Sequence, residues 1–429
     1  MENRPIFIKN ASQLITMAGY STSPAKKEQM NQLSIIKNGA IWIENDRIKK
    51  VGTTPELLRD YHNKLPEAYT IDARNKVVLP GLIDPHTHLV YAGSREQEFE
   101  LRLQGATYME ILHKGWGIHA TTARTRAASE ELLVTEGLQR LDVFLRHGVT
   151  TVEVKSGYGL NWETERKQLI VAAKMNQLHA IDVVRTFMGA HVIPKEYKDQ
   201  PDRFVDEIIE EMLPQVSAES LAEFNDVFCE RGLFTPEQSL RVLEAGKELG
   251  LIPKIHADEI EPYGGAEVAA AVGAISADHL MKVSDRGIQK LVEKGVVGVL
   301  LPGTAFFLMA EMANARKLID SGVPIALSTD SNPGSSPTCS LPFIMNLACF
   351  NMRLTPAEII TAVTINAAHA INRHHEIGSI EVGKKADITI LNTPDYLHLF
   401  YHYGHNLTDT VLKSGKVVMK EGVLCKAFP

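Results

Sequence analysis

The spacing of apolar positions changes twice along the chain, and the changes divide it. From residue 6 to 52 the apolar positions form short strand-like runs, with Ala40-Ile41-Trp42-Ile43 and Arg47-Ile48 separated by Glu44-Asn45-Asp46, which has hairpin-turn chemistry. From about residue 76, β-branched apolar runs alternate with amphipathic stretches of helical length, as expected of a parallel sheet wrapped by helices. Eight such runs can be counted: Val77 to Ile83, Val149 to Val154, Val183 to Met188, Asn225 to Phe228, Ile252 to Ile255, Ala274 to Ala277, Val296 to Leu301 and Pro324 to Ser328. Eight predicts a closed barrel. Helices are expected between most of them, for example Ser129 to His147, Ser239 to Leu249 and Ser284 to Lys294, with Gly148 and Gly250 placed to end two of them. Past residue 378, short strands return in Ala386 to Leu391 and Thr410 to Leu412. The expected architecture is α/β: a TIM-type (β/α)8 barrel over 77–377, and a smaller β-sandwich domain composed of 1–76 and 378–429.

Composition sets limits on this picture. At 429 residues, 44% hydrophobic and 23% charged, the chain can bury a large core. The net charge is -7, and no Lys/Arg run is long enough to neutralise several phosphates, which speaks against nucleic acid as a partner. Glu2, Arg4 and Lys9 interrupt the N-terminal segment, and no stretch approaches the roughly 20 apolar residues of a membrane span. A cytoplasmic protein without a membrane partner is expected. Cys229, Cys339, Cys349 and Cys425 lack CxxC spacing and read as buried thiols in a reducing compartment.

Candidate chemistry collects where the runs end, the catalytic face of such a barrel. The first run leads into Asp84-Pro85-His86-Thr87-His88, where residues two apart point the same way and can present two imidazoles to one ion. Taken alone, His-x-His is more often a feature of surface strands and turns. The fifth run, however, ends Lys254-Ile255-His256-Ala257-Asp258-Glu259, the sixth Ser276-Ala277-Asp278-His279, and the eighth Ser328-Thr329-Asp330-Ser331-Asn332-Pro333-Gly334. Imidazoles and carboxylates buried at several strand ends are costly unless paired or bound to metal. Three imidazoles and one carboxylate suit an ion of borderline softness and leave a position for water, so zinc and iron both qualify.

Pro80-Gly81-Leu82-Ile83-Asp84-Pro85-His86-Thr87-His88 resembles the first barrel strand of the amidohydrolase superfamily, and Gly378 to Asp387 resembles its return into the small β domain. Within that superfamily, His88 to Arg95, Lys155 to Leu160, Phe187 to His191, His256 to Glu259 and Asp330 to Pro337 resemble the imidazolonepropionase family, and the likeness runs from about residue 35 to 415. The resemblance implies one divalent or trivalent ion, zinc or iron, held by His86, His88, His256 and Asp330, with His279 beside its water. It implies hydrolysis of an imidazolone ring that bears a propionate. Arg95, Tyr158, His191 and Glu259 would contact this substrate, and Asn332, Gly334 and Ser335 would hold the carboxylate of the opened product. Asp330 and His279 are both candidates to take the water's proton, Glu259 to meet a ring nitrogen, and His191 to help with the oxyanion.

Structural alternatives stand beside these roles. Arg95 can pair with Glu96 or Glu98, Tyr158 can be core, Glu259 can be a surface carboxylate, and Asn-Pro-Gly is also a plain turn. The chain departs from the family pattern twice. Gly115-Trp116-Gly117 stands where three glycines are expected, and the fourth run ends Phe228-Cys229-Glu230-Arg231, without a lysine to bridge two ions. One ion is therefore expected, with Lys155 read more readily as paired with a carboxylate than as a modified bridge. The rival readings are a deaminase or cyclic imide hydrolase of the same superfamily, and a barrel that has lost its chemistry. Arg95 and the 332–335 loop speak against the first, because a flat neutral base needs no carboxylate clamp. A small-molecule substrate and a homodimer complete the expectation.

Overall fold

The computed structural model describes residues 4–105 and 116–425. Strands β1 (Ile6–Ile15), β2 (Ile35–Glu44), β3 (Arg47–Thr53), β4 (Tyr69–Asp72) and β5 (Val77–Pro80) come first. The barrel follows as β6 (Leu82–Thr87), β7 (Val149–Lys155), β8 (Asp182–Ala190), β9 (Phe224–Cys229), β10 (Ile252–Ala257), β11 (Ser276–His279), β12 (Val297–Leu300) and β13 (Ile325–Leu327). Strands β14 (Ile388–Leu391), β15 (Thr408–Lys413), β16 (Lys416–Lys420) and β17 (Val423–Leu424) end the described chain.

Both terminal segments build one mixed sheet, in the order β17-β16-β15-β14-β5-β1-β2-β3 with β4 paired to β1. The expected hairpin is β2-β3, turning at Asn45 and Asp46 with Glu44 opposite Arg47 and Asn45 at φ 57°, a left-handed value that asparagine tolerates. Strand β1 shifts register between Ile8 and Ala11, where Asn10 takes φ 61°; its first half pairs with β4 and its second with β5. That bend lets Ile6, Ile8, Ile41 and Ile43 share one core with Val78, Ile388, Ile390 and Leu412.

The run Val77 to Ile83 proves to be two strands. Val77–Pro80 pairs with β1 and β14 in the terminal sheet, and the chain enters the barrel only after Gly81, where a Cβ would run into the side chain of Thr150. Apolar residues on both sides of Gly81 conceal the break from a periodicity reading.

The eight barrel strands follow one another in chain order, all parallel. Closure between β13 and β6 comes from just beyond the strands. The His88 N–H donates to the Ser331 carbonyl at 3.0 Å, and the Ser328 hydroxyl donates to the His86 carbonyl at 2.7 Å. Helices Glu130–Arg146 and Asp285–Lys294 begin at the N-caps Ser129 and Ser284. Pro236–Glu248 begins earlier than the apolar pattern suggests, because Thr235 and Gln238 form a capping box. Gly148 and Gly250 follow their helices at φ 82° and 89°. Among the described residues no helix is long and apolar enough to cross a membrane.

Candidate active site

Extended backbone at the end of β6 turns His86 and His88 to the same end of the barrel, their ring centroids 5.3 Å apart. Strands β10 and β11 bring His256 and His279 to the same place, 4.5 Å and 5.5 Å from the His86 ring. From beyond β13, Asp330 sets Oδ1 3.5 Å from His86 Nε2 and 3.7 Å from His88 Nε2. Two groups of potential ligand atoms result, His86/His256/His279 and His86/His88/Asp330, each with its atoms within 4.8 Å of one another.

The donor set fits a metal ion. His86 gives Nδ1 to the Asp278 carboxylate at 2.6 Å, which leaves Nε2 buried, without a hydrogen-bond partner and facing Asp330. A buried nitrogen lone pair without a partner is costly unless a cation takes it. Burial, joined by neighbouring positive groups, keeps His86, His88 and His279 well below the ordinary imidazole range, so their nitrogens are available as ligands. Backbone strain gathers here as well: Asp258, His279 and Asp330 take φ of 51°, 76° and 50° at the ends of three strands.

Two buried carboxyl groups at this end of the barrel are held well above the ordinary carboxylate range. Burial pushes Asp330 up to about 6, against the pull of the Thr304 hydroxyl, which donates to Oδ2 at 2.5 Å. Burial pushes Glu259 up to about 8, with the charges of Asp330 and Glu230 adding to it, and its Oε2 lies 3.4 Å from His279 Nδ1. Its neighbour Asp258 has a different task, accepting the N–H groups of Tyr263, Gly264, Gly265 and Ala266 to start helix Gly265–Val272.

His191 donates Nδ1–H to the Gly157 carbonyl at 2.9 Å, and burial lowers its pKa to about 3. In this tautomer the neutral ring offers an acceptor at Nε2. Tyr158 lies 5.8 Å from the His88 ring and 5.4 Å from the His191 ring. Its loop is held by the buried Glu165, which accepts the N–H groups of Gly157, Gly159 and Leu160, each at 2.8 Å.

Arg95 is indeed paired with Glu98, through two bonds of 2.8 Å and 2.6 Å, and Gly334 lies against its guanidinium. The N–H groups of Gly334 and Ser335 both donate to Asn332 Oδ1 at 2.8 Å, so an incoming carboxylate would share them with the turn. Gly115 lies outside the described residues. Gly117, at φ 88°, donates its N–H to Glu98 Oε2 at 2.9 Å and so tethers the partner of Arg95. A methyl group at position 334 would collide with the Arg95 guanidinium, which Glu98 prevents from swinging away. Gly334→Ala is expected to raise KM about tenfold, the loss of one charge-assisted contact, with kcat changed less than about threefold. Steady-state kinetics checks this, and an unchanged KM would separate Arg95 from substrate binding.

A model of the amidohydrolase family matches residues 77–418. The chain is 65% identical to a protein named imidazolonepropionase from Geobacillus sp. (strain WCH70), with 98% of this chain and 100% of the relative covered. It is 63% identical to one of the same name from Brevibacillus brevis, with 98% and 99% covered. The chain belongs to the amidohydrolase family, among the imidazolonepropionases. Solved structures share the fold at low identity. A triazine hydrolase variant has a TM-score of 0.74 at 16% identity, covering 99% of this chain and 96% of that one. A zinc-bound adenosine deaminase from Xanthomonas campestris has 0.67 at 18%, covering 99% and 94%.

In this amidohydrolase β9 ends with Phe228, whose ring lies 5.3 Å from that of His256, and with the buried Cys229, whose thiol burial pushes up to about 12. Lys155 sits among carboxylates, 2.8 Å from Glu153 and 2.6 Å from Asp226, as its simpler reading expects. Burial works against its charge, but Asp226, Glu153 and Asp278 outweigh burial and raise its pKa. Glu153 and Asp226 stand in no motif of the sequence, and Asp278 appears there only beside His279. The available signal was charge inside otherwise apolar strands, most plainly Glu153 and Lys155 two apart in a strand buried on both faces.

Proposed function

We propose that this site hydrolyses 4-imidazolone-5-propanoate to N-formimidoyl-L-glutamate, a step of histidine degradation, with one zinc or iron ion held by His86, His88, His256 and Asp330. The observation that carries the reading is a set of imidazoles that could hold a metal ion, in a site that also has the Arg95 guanidinium seated against Gly334 of the Asn332–Ser335 turn, a cation that could meet a carboxylate. The curated relatives' shared name supports the same substrate.

A bound ion supplies Lewis acidity, enough to bring the pKa of a water from about 15.7 to near 7. The chain's own groups do the rest. Arg95 fixes the propionate, and the His191 acceptor takes a ring N–H, which together place the lactam carbonyl over the histidines. Asp330 or His279 takes the water's proton as its oxygen bonds to the carbonyl carbon. Glu259, whose burial favours the neutral carboxyl, delivers a proton to the ring nitrogen as the C–N bond breaks. The product carries the new carboxylate and the formimidoyl group on the remaining nitrogen.

The test is to determine metal per chain and to follow loss of enzymatically generated imidazolonepropionate before and after chelation and metal add-back. Turnover that disappears with the ion, returns on add-back and yields N-formimidoylglutamate at about one ion per chain supports the reading. Bound metal with this substrate untouched overturns the substrate and leaves cyclic ureas, imides and nucleobases to be screened. The reading also carries a cytoplasmic homodimer, and a monomer at micromolar concentration in a solution mass measurement overturns the pairing.

A further inference from the structure

Beneath the candidate ligands lies a charge cluster that no step above uses. The inside of a (β/α)8 barrel is filled in layers drawn from alternate strands, and Lys155, Asp226 and Asp278 come from β7, β9 and β11. The fully buried Lys155 ammonium lies 2.6 Å from Asp226 Oδ2, 2.8 Å from Glu153 Oε1 and 3.7 Å from Asp278 Oδ2. Two of these carboxylates lead on to imidazoles. Asp226 Oδ1 accepts from the His256 backbone N–H at 3.2 Å and lies 3.1 Å from His256 Nδ1. Asp278 receives the Ser276 hydroxyl on Oδ1 at 2.7 Å and meets His86 Nδ1 with Oδ2 at 2.6 Å.

A carboxylate at Nδ1 keeps the proton on that nitrogen and leaves Nε2 free for a cation. Two such carboxylates in one layer repel each other unless a positive group stands between them, and a carboxylated lysine there would add a negative charge to the three already present. We propose that Lys155 is a positioning residue for the metal centre: one ammonium that seats Asp226 and Asp278 together, and through them fixes the tautomer and tilt of both His256 and His86. The inference rests on reading His86 and His256 as ligands.

Full-length wild type, Lys155→Met and Lys155→Arg are to be compared in three ways: zinc affinity by chelator competition, the visible absorption of the cobalt-substituted chain, and thermal unfolding of the metal-free chain. Lys155→Met is expected to bind zinc about 10- to 100-fold more weakly, the usual effect of losing a group behind a metal ligand, and to change the cobalt absorption. A guanidinium cannot take the ammonium's seat without displacing Asp226 or Glu153, so Lys155→Arg should fall between the two. The affinity losses of Lys155→Met and Asp226→Asn should sum to more than the loss in the double variant, because part of the lysine's effect passes through Asp226. A lysine that only fills the core would lower the unfolding temperature while leaving affinity and cobalt absorption at wild-type values, and that result overturns the proposal. If Lys155→Met does not fold, wild-type zinc affinity in Lys155→Arg overturns it. A wild type that binds no ion overturns the ligand reading itself.

Discussion

Replacing His86 with asparagine is expected to lower kcat/KM at least about a thousandfold, because the acidity a water gains from the ion spans several pK units, and to reduce bound metal to a small fraction of an ion per chain. His86 stands in both of the overlapping groups of potential ligand atoms, and its Nε2 is buried without a partner. From β6 it is held against the Asp278 carboxylate, 2.6 Å from its Nδ1. His279→Asn separates holding the ion from using it. If His279 serves the reaction from beside the ion, that variant keeps its metal while turnover falls by about 10²- to 10⁴-fold, the usual worth of a proton-transfer group. Metal content and turnover measured on the same preparations check both. A His86→Asn chain that keeps one ion and full turnover would remove His86 from the site.

What could be read ahead of the structure follows from how each feature is encoded. Strand ends were legible because His256, His279 and Asp330 each close an apolar run, and a polar residue there is a local anomaly in a single segment. The β2-β3 hairpin was legible for the same reason, since Asn45 and Asp46 carry their own backbone preference. Features made by residues far apart were not legible. Lys155 meets Asp226 across 71 positions and His86 meets Asp278 across 192, and each pairing depends on strand order and register inside a closed barrel. The break at Gly81 was hidden because both neighbouring strands are apolar, and only pairing partners distinguish them. The tautomer of His191 is fixed by the Gly157 carbonyl from 34 positions away, a contact no motif records. Thr304, which holds Asp330, sits on a short helix after β12 and carries no sequence signal beyond an ordinary hydroxyl.

Exchanging Glu259 for glutamine is expected to lower kcat by about 10²- to 10⁴-fold with KM nearly unchanged, because an amide still donates a hydrogen bond to the ring nitrogen but has no proton to give up. The pH dependence identifies the cause. Burial, with Asp330 and Glu230 adding to it, raises the Glu259 carboxyl to about 8, so the neutral, proton-delivering form dominates below that value and is lost as pH rises through it. An ion bound among the histidines pulls the carboxyl toward lower pH, which places the alkaline limb of the wild-type kcat/KM profile at or below about 8, falling about tenfold per pH unit beyond it. Glutamine cannot titrate, so the variant should lose that limb while keeping any acidic limb that the water-activating group imposes. A Glu259→Gln profile that still falls on the alkaline side as wild type does would assign the limb to another group. If kcat were unchanged as well, the proton would reach the leaving nitrogen by a route that does not pass through Glu259.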